Sequence, residues 1–177
     1  METLEISKSN DSKFLYISES RFIVMSILTL GIFEIYWNYK NWSYIKKRDN
    51  LDIQPVWRAI FGIFYIHSLL SFIEQDNEMN QIEKSAFSAS SLATGWVIMI
   101  LIGNILGKFD DISINTLGIL ISVSSIICLL PVQKHINRVN NLINPEIPYT
   151  GWSFGQVLCL VIGIPLFVLV LIGIFLG

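Results

Sequence analysis

The chain has 177 residues, of which 53% are apolar and only 15% charged. That charge content falls well below the roughly one quarter of a soluble protein. The net charge of −2 excludes the basic field that nucleic-acid binding requires. Charged residues are absent from 22–33, 59–73, 85–107, 112–133 and 147–177. Each of the last three stretches is long enough to cross a hydrocarbon core of about 30 Å as a helix. The expected fold is all-α, a polytopic helical bundle forming a single membrane domain of four to five membrane segments with interfacial amphipathic helices.

In chain order, residues 1–21 form a polar N-terminal segment, expected to be retained because it lacks the basic start and cleavage site of a signal peptide. Within it, Phe14-Leu15-Tyr16-Ile17 alternates as either a strand or an interfacial turn. The first membrane segment, 22–37, would be about 24 Å long as a helix, short for a crossing. A re-entrant or interfacial path is therefore expected for it. The second, 56–73, follows Pro55, which suits the first turn of a helix because that turn has no use for the missing amide proton. The third and fourth cover 92–106 and 114–132. The fifth, 152–176, contains Pro165, so a tilt or kink is expected. All five tryptophans, Trp37, Trp42, Trp57, Trp96 and Trp152, fall near segment ends, as expected of an aromatic belt.

Segment 38–55 carries Lys40, Lys46, Lys47 and Arg48, whereas 74–91 carries Lys84 among four acids. The first is therefore predicted to be cytoplasmic. A re-entrant first segment brings the N-terminus to the same side and gives the stronger basic bias. Lys84, Lys134 and Arg138 then fall on the opposite side.

The run from Thr29 to Trp42, TLGIFEIYWNYKNW, followed by Pro55-Val-Trp-Arg-Ala-Ile-Phe61 and by Pro131-Val-Gln-Lys-His-Ile-Asn-Arg-Val-Asn140, resembles the signature of a family of uncharacterised bacterial inner-membrane proteins. The resemblance covers most of 14–155, with Phe33 where that family usually has tyrosine. It implies a bacterial cytoplasmic-membrane location and a domain to which no activity is assigned.

Few side chains could carry chemistry. Glu34 and Arg58 are the only charges inside the apolar segments, where a charge needs a partner or water. Lying near one boundary, they could pair, either structurally or as a proton-linked gate. His67, nine residues beyond Arg58, is expected near the bilayer midplane, as a neutral hydrogen-bonding side chain or a proton relay. Gln133, Asn137, Asn140, Asn141 and Asn144 recur at i, i+4, i+7, i+8 and i+11 and so share one helical face. That face is expected to be solvated, to bond neighbouring helices or to line an aqueous vestibule. Trp37, Lys40, Trp42, Lys46, Lys47 and Arg48 interleave rings with cations, which suits contact with anionic lipid headgroups or a topology anchor. Gly103/Gly107, Gly118/Ser122, Gly151/Gly155 and Gly173/Gly177 are spaced for close helix approach.

Cys128 and Cys159 sit in apolar stretches without ligand spacing, so both are expected to be packing residues, with no metal and no cofactor. The expected function is non-enzymatic, a scaffold or accessory subunit acting through helix packing and lipid contact, with a protein partner or a homo-oligomer. The rival is a small transporter or channel whose pathway uses His67, Arg58, Glu34 and the carboxamide face.

Overall fold

The computed structural model describes residues 13–146 and 148–176. Lys8 and the rest of 1–12 lie outside the described residues. Every regular element among those described is a helix: α1 (Glu19–Leu28), α2 (Ile32–Asp49), α3 (Pro55–Ile60), α4 (Gly62–Glu74), α5 (Asn77–Ile82), α6 (Ala89–Leu106), α7 (Ile112–Ser124), α8 (Ile126–Ile143) and α9 (Phe154–Leu176). Starts are set by caps: Ser18, Asp76, Ser88 and Asp111 each accept a backbone N–H of the following first turn.

Three helices are long and apolar enough to cross a membrane: Ala89–Leu106, Ile112–Ile143 (α7 continued by α8) and Phe154–Ile174. α6 and α7 form a tight hairpin. A Cβ added at Gly103 would lie 2.6 Å from the Gly118 carbonyl oxygen, and one at Gly118 would lie 2.7 Å from that of Gly103. These glycines are required by close backbone approach, so the spacing read from the sequence is used within the chain.

The first expected segment turns back. Arg21 of α1 bonds Thr150 and Gln156 beside the start of α9, and Tyr36 of α2 bonds Ser153 there. Between them Thr29 packs on Gly163, nine residues and about 13 Å further along α9. The turn that joins α1 to α2 uses Leu30 (φ 49°) and Gly31 (φ 87°), both left-handed. Such φ values favour glycine, so Leu30 is the strained partner of the pair. α1 and α2 are thus a hairpin whose turn lies against Gly163 of α9, so segment 22–37 doubles back and is not one straight helix.

The second expected segment, 56–73, does not form a straight crossing. Going up α3, Arg58 stacks on Trp42 and Gly62 approaches Asn38, so α3 runs back along α2. The helix then breaks at Phe61 (ψ 35°) and α4 returns to the end of α2, where Asp76 meets Arg48 at 2.5 Å. A straight helix over 55–76 would separate its ends by about 30 Å. Here both ends lie at the C-terminus of α2, and 55–74 is a second hairpin.

The chain connections therefore gather at one end of the bundle, the near face: 50–54, 75–88 and 144–153 are joined there by Arg48–Asp76, Arg138–Glu83 and the Thr150 N–H donated to the Tyr16 carbonyl. This corrects the sequence expectation that Lys84, Lys134 and Arg138 lie opposite to Lys46–Arg48. The opposite, far face carries the 107–111 turn and the distal part of α9.

The core sits in the near half. Phe14, Leu15, Tyr16 and Ile17, expected in a polar segment, are buried as an extended strip between α2 and α8. Around them pack Phe22, Phe33, Trp37, Trp42, Leu69 and Leu129, all fully buried. In the far half Ile105, Leu120, Val168 and Leu169 are exposed, as suits contact with lipid tails.

Candidate functional site

The inner polar network begins at the extended strip. An extended backbone in an apolar interior has no helix ladder to use its N–H and C=O groups, so side chains must supply partners. Asn41 accepts the Leu15 N–H at 3.0 Å, and the Gln133 amide donates to the carbonyls of Leu15 (3.0 Å) and Ile17 (3.3 Å) and to Asn137 Oδ1 (2.8 Å). Gln133 Oε1 in turn accepts the Trp37 indole N–H at 2.7 Å. Gln133, Asn137 and Asn140 are buried, which overturns a simply solvated face. Asn140 donates to the Ile136 carbonyl, and Asn141 accepts the Tyr16 hydroxyl at 2.7 Å from an exposed position. Asn144, half-buried, caps the turn by accepting the Glu146 N–H.

One helical turn from Trp37, where both hairpin turns approach α6 and α8, lies Glu34. It is 2% exposed. Its Oε2 accepts the Trp96 indole N–H at 2.7 Å and the Ser125 hydroxyl at 3.4 Å. Trp96 is seven residues into α6, about 10 Å from that helix's near end. Gly62 of the second hairpin sits against both Trp96 and Asn38. Ser125 is the break between α7 and α8. Neither Oε1 of Glu34 nor Oδ1 of Asn38 has a partner.

The ion pair expected between Glu34 and Arg58 is not formed. Arg58 lies beside Trp42, two turns along α2 from Glu34, and its guanidinium stacks 4.4 Å from the Trp42 ring and 5.1 Å from that of Tyr65. Aromatic faces attract the cation and leave Glu34 with neutral donors only.

His67 is not deep. Because the chain turns back at Phe61, His67 rises toward the near face, bonds Thr94 of α6 at 3.1 Å and is exposed. It lines an open cleft of about 800 Å³ with Arg48, Ser68, Ser71 and Asp76. Arg48 is held there by Asp76 and Asp49, and its guanidinium keeps the Asp49 carboxyl below the ordinary carboxylate range through their hydrogen bond.

Trp37 and Trp42 are fully buried and Trp96 nearly so, which removes them from any headgroup belt. Their indoles are drawn inward by partners that a hydropathy profile does not reveal: Gln133, Arg58 and Glu34. Trp57 and Trp152 are the exposed tryptophans, the latter under the Arg21 guanidinium at 4.0 Å. Within the expected lipid-contact cluster, Lys46 donates to the Ile53 carbonyl, Lys40 lies 5.9 Å from the Tyr44 ring centre and Lys47 is exposed.

Sequence reasoning missed Asn38, Asn41, Trp96 and Ser125. Asn38 and Asn41 follow Glu34 at i+4 and i+7, the spacing of one helical stripe, but placing a segment end at 37 cut that stripe in two. The described residues hold no group of three or more His, Cys, Asp and Glu side chains suited to a metal ion.

Comparison with models of known protein families, with curated proteins and with solved structures finds no match.

Proposed function

We propose that the chain is a non-enzymatic membrane scaffold or accessory subunit of the bacterial inner membrane, acting through helix packing and lipid contact. One observation carries the reading. Of the carboxamides that could have lined a pathway, Gln133 and Asn41 are spent on the buried strip 14–17 and on α2, and Asn137 Oδ1 takes the Gln133 amide, which leaves the Asn137 amide alone of the three without a partner. In the far half, Asn104 and Asn115 each donate to a backbone carbonyl. The bacterial location rests on the resemblance of Thr29–Trp42 and Pro55–Phe61 to the inner-membrane family.

In this reading the near face is cytoplasmic. Lys13, Arg21, Lys46, Lys47, Arg48, Lys84, Lys134 and Arg138 belong to it, and Lys108 alone among the described cations belongs to the far turn, a bias in keeping with the positive-inside tendency. Three crossings with two part-depth hairpins replace the four to five segments expected. Exposed Lys47, with Lys40, is available to anionic headgroups, and the near face, rich in charges of both signs, is the surface for a protein partner.

A second reading, a small transporter, draws on the cleft beside His67 and on buried Glu34. One preparation separates them: a tagged copy at native expression level, purified in mild detergent and also sealed into vesicles. The scaffold reading expects a second protein in fixed stoichiometry and no proton or ion flux above empty vesicles. A homo-oligomer without a partner, together with flux, overturns it.

A further inference from the structure

Glu34 has only half of its hydrogen bonding accounted for. Oε2 takes both available donors, the Trp96 N–H and the Ser125 hydroxyl, while Oε1 and the Asn38 Oδ1 one turn away on the same face are buried without a donor. The Asn38 amide is already committed to the Glu34 carbonyl at 2.9 Å, so its oxygen must point away from that bond. Two buried acceptors one turn apart on the same helix face, neither with a donor, call for a hydrogen.

No nearby cation supplies it. Arg58 of α3 is on Trp42 and Tyr65, Arg21 of α1 is on Thr150 and Gln156, and Arg48 of α2 is on Asp49 and Asp76. His67 of α4 bonds Thr94, and the titratable group that faces Glu34 from α8 is the Cys128 thiol. A metal ion would need several oxygen ligands, and here two oxygens are unspent.

We propose that Glu34 is a proton-binding site. A proton is taken up on Oε1 to give the neutral carboxylic acid, which donates into the Asn38 turn while Oε2 keeps Trp96 and Ser125. Release returns the carboxylate, still held by those two donors. Because the acid joins α2 to α6 and to the α7–α8 break, proton occupancy reports to α6 and to that break at once. This inference does not depend on the scaffold reading.

The test uses the full chain in lipid vesicles. Infrared spectra at neutral pH are expected to contain a protonated-carboxyl C=O band that moves down in D2O and is missing from Glu34→Gln. Emission from Trp96, assigned with Trp96→Phe, is expected to shift at alkaline pH in the parent protein and to stay constant in Glu34→Gln. Should that variant fail to insert, Glu34→Asp keeps an acid one methylene shorter and must displace the band. Absence of a Glu34-dependent acid band overturns the proposal, and a Trp96 response to sodium against choline would then assign the site to a metal cation. A band that neither exchanges in D2O nor vanishes at alkaline pH also overturns it, because the acid is then a fixed structural donor.

Discussion

The two halves of this molecule solve the bilayer problem differently. In the far half three helices satisfy their own backbones, show apolar side chains to lipid and meet mainly at the glycine seam of α6 and α7. In the near half the chain breaks its helices at Leu30–Gly31, at Phe61 and at Ser125, and buries an extended strip besides. Irregular backbone at membrane depth persists only where protein covers it and supplies partners. The difference teaches that side-chain hydrogen bonding is concentrated where the backbone is least regular, so the near half should depend on individual polar residues and the far half on shape.

That contrast can be broken by substitution. The largest effect is expected from Gln133→Leu, which leaves the Trp37 N–H and the Leu15 and Ile17 carbonyls without their shared partner. A loss of about 3 kcal/mol is expected for several buried groups orphaned together, read as a lower midpoint of unfolding in detergent. Next comes Gly118→Ala in the far half, where a Cβ meets the Gly103 carbonyl oxygen and the Gly107 nitrogen. Overpacking of this kind costs about 2 kcal/mol. If it exceeded Gln133→Leu in the same assay, the ranking of the two halves would be inverted.

Smaller effects sharpen the comparison. Arg58→Ala removes a cation from two ring faces and should cost about 1 kcal/mol, without altering the Trp96 emission that reports on Glu34. Leu169→Ala, at 62% exposure on α9, should change stability by less than about 0.5 kcal/mol; a larger loss would reveal a partner on that surface. Least of all is expected from acid. The Asp49 carboxyl is held below its ordinary value by Arg48. Its contribution is therefore present above about 3.9, the usual value for aspartate, and fades as pH falls through the lower folded value. Asp49→Asn should flatten that acid limb in a pH series of unfolding midpoints.

The far half was largely legible. Uncharged runs over 92–106, 114–132 and 152–176 lie within a few residues of α6, of α7 with the start of α8, and of α9, because hydropathy measures what lipid contact demands. The near half was legible in its parts and not in their arrangement. An apolar segment such as 56–73 reads the same straight or folded, and long-range contacts, the ion pair of Asp76 with Arg48 among them, disclose that 55–76 doubles back. The carboxamide face was visible as a periodicity, but what covers it, Leu15 and Ile17, lies more than a hundred positions away in the chain. Trp37, Trp42 and Trp96 look like interfacial anchors until their internal partners are known. The candidate site at Glu34 was half legible: its charge stood out, while Trp96 and Ser125 carry no local mark.

The strip 14–17 also imposes an order of events during synthesis. Its backbone waits for Gln133, 118 positions after Leu15, and Tyr16 waits further for the amide of Thr150. At a translation rate of about 10 residues per second, the gap is on the order of ten seconds. Throughout it Leu15 and Ile17 lack the partner of their carbonyls, so the strip must be held at the membrane surface or by the insertion machinery. Thr150 thus closes over a strip made 134 positions earlier, so seating of the strip is a late step of folding.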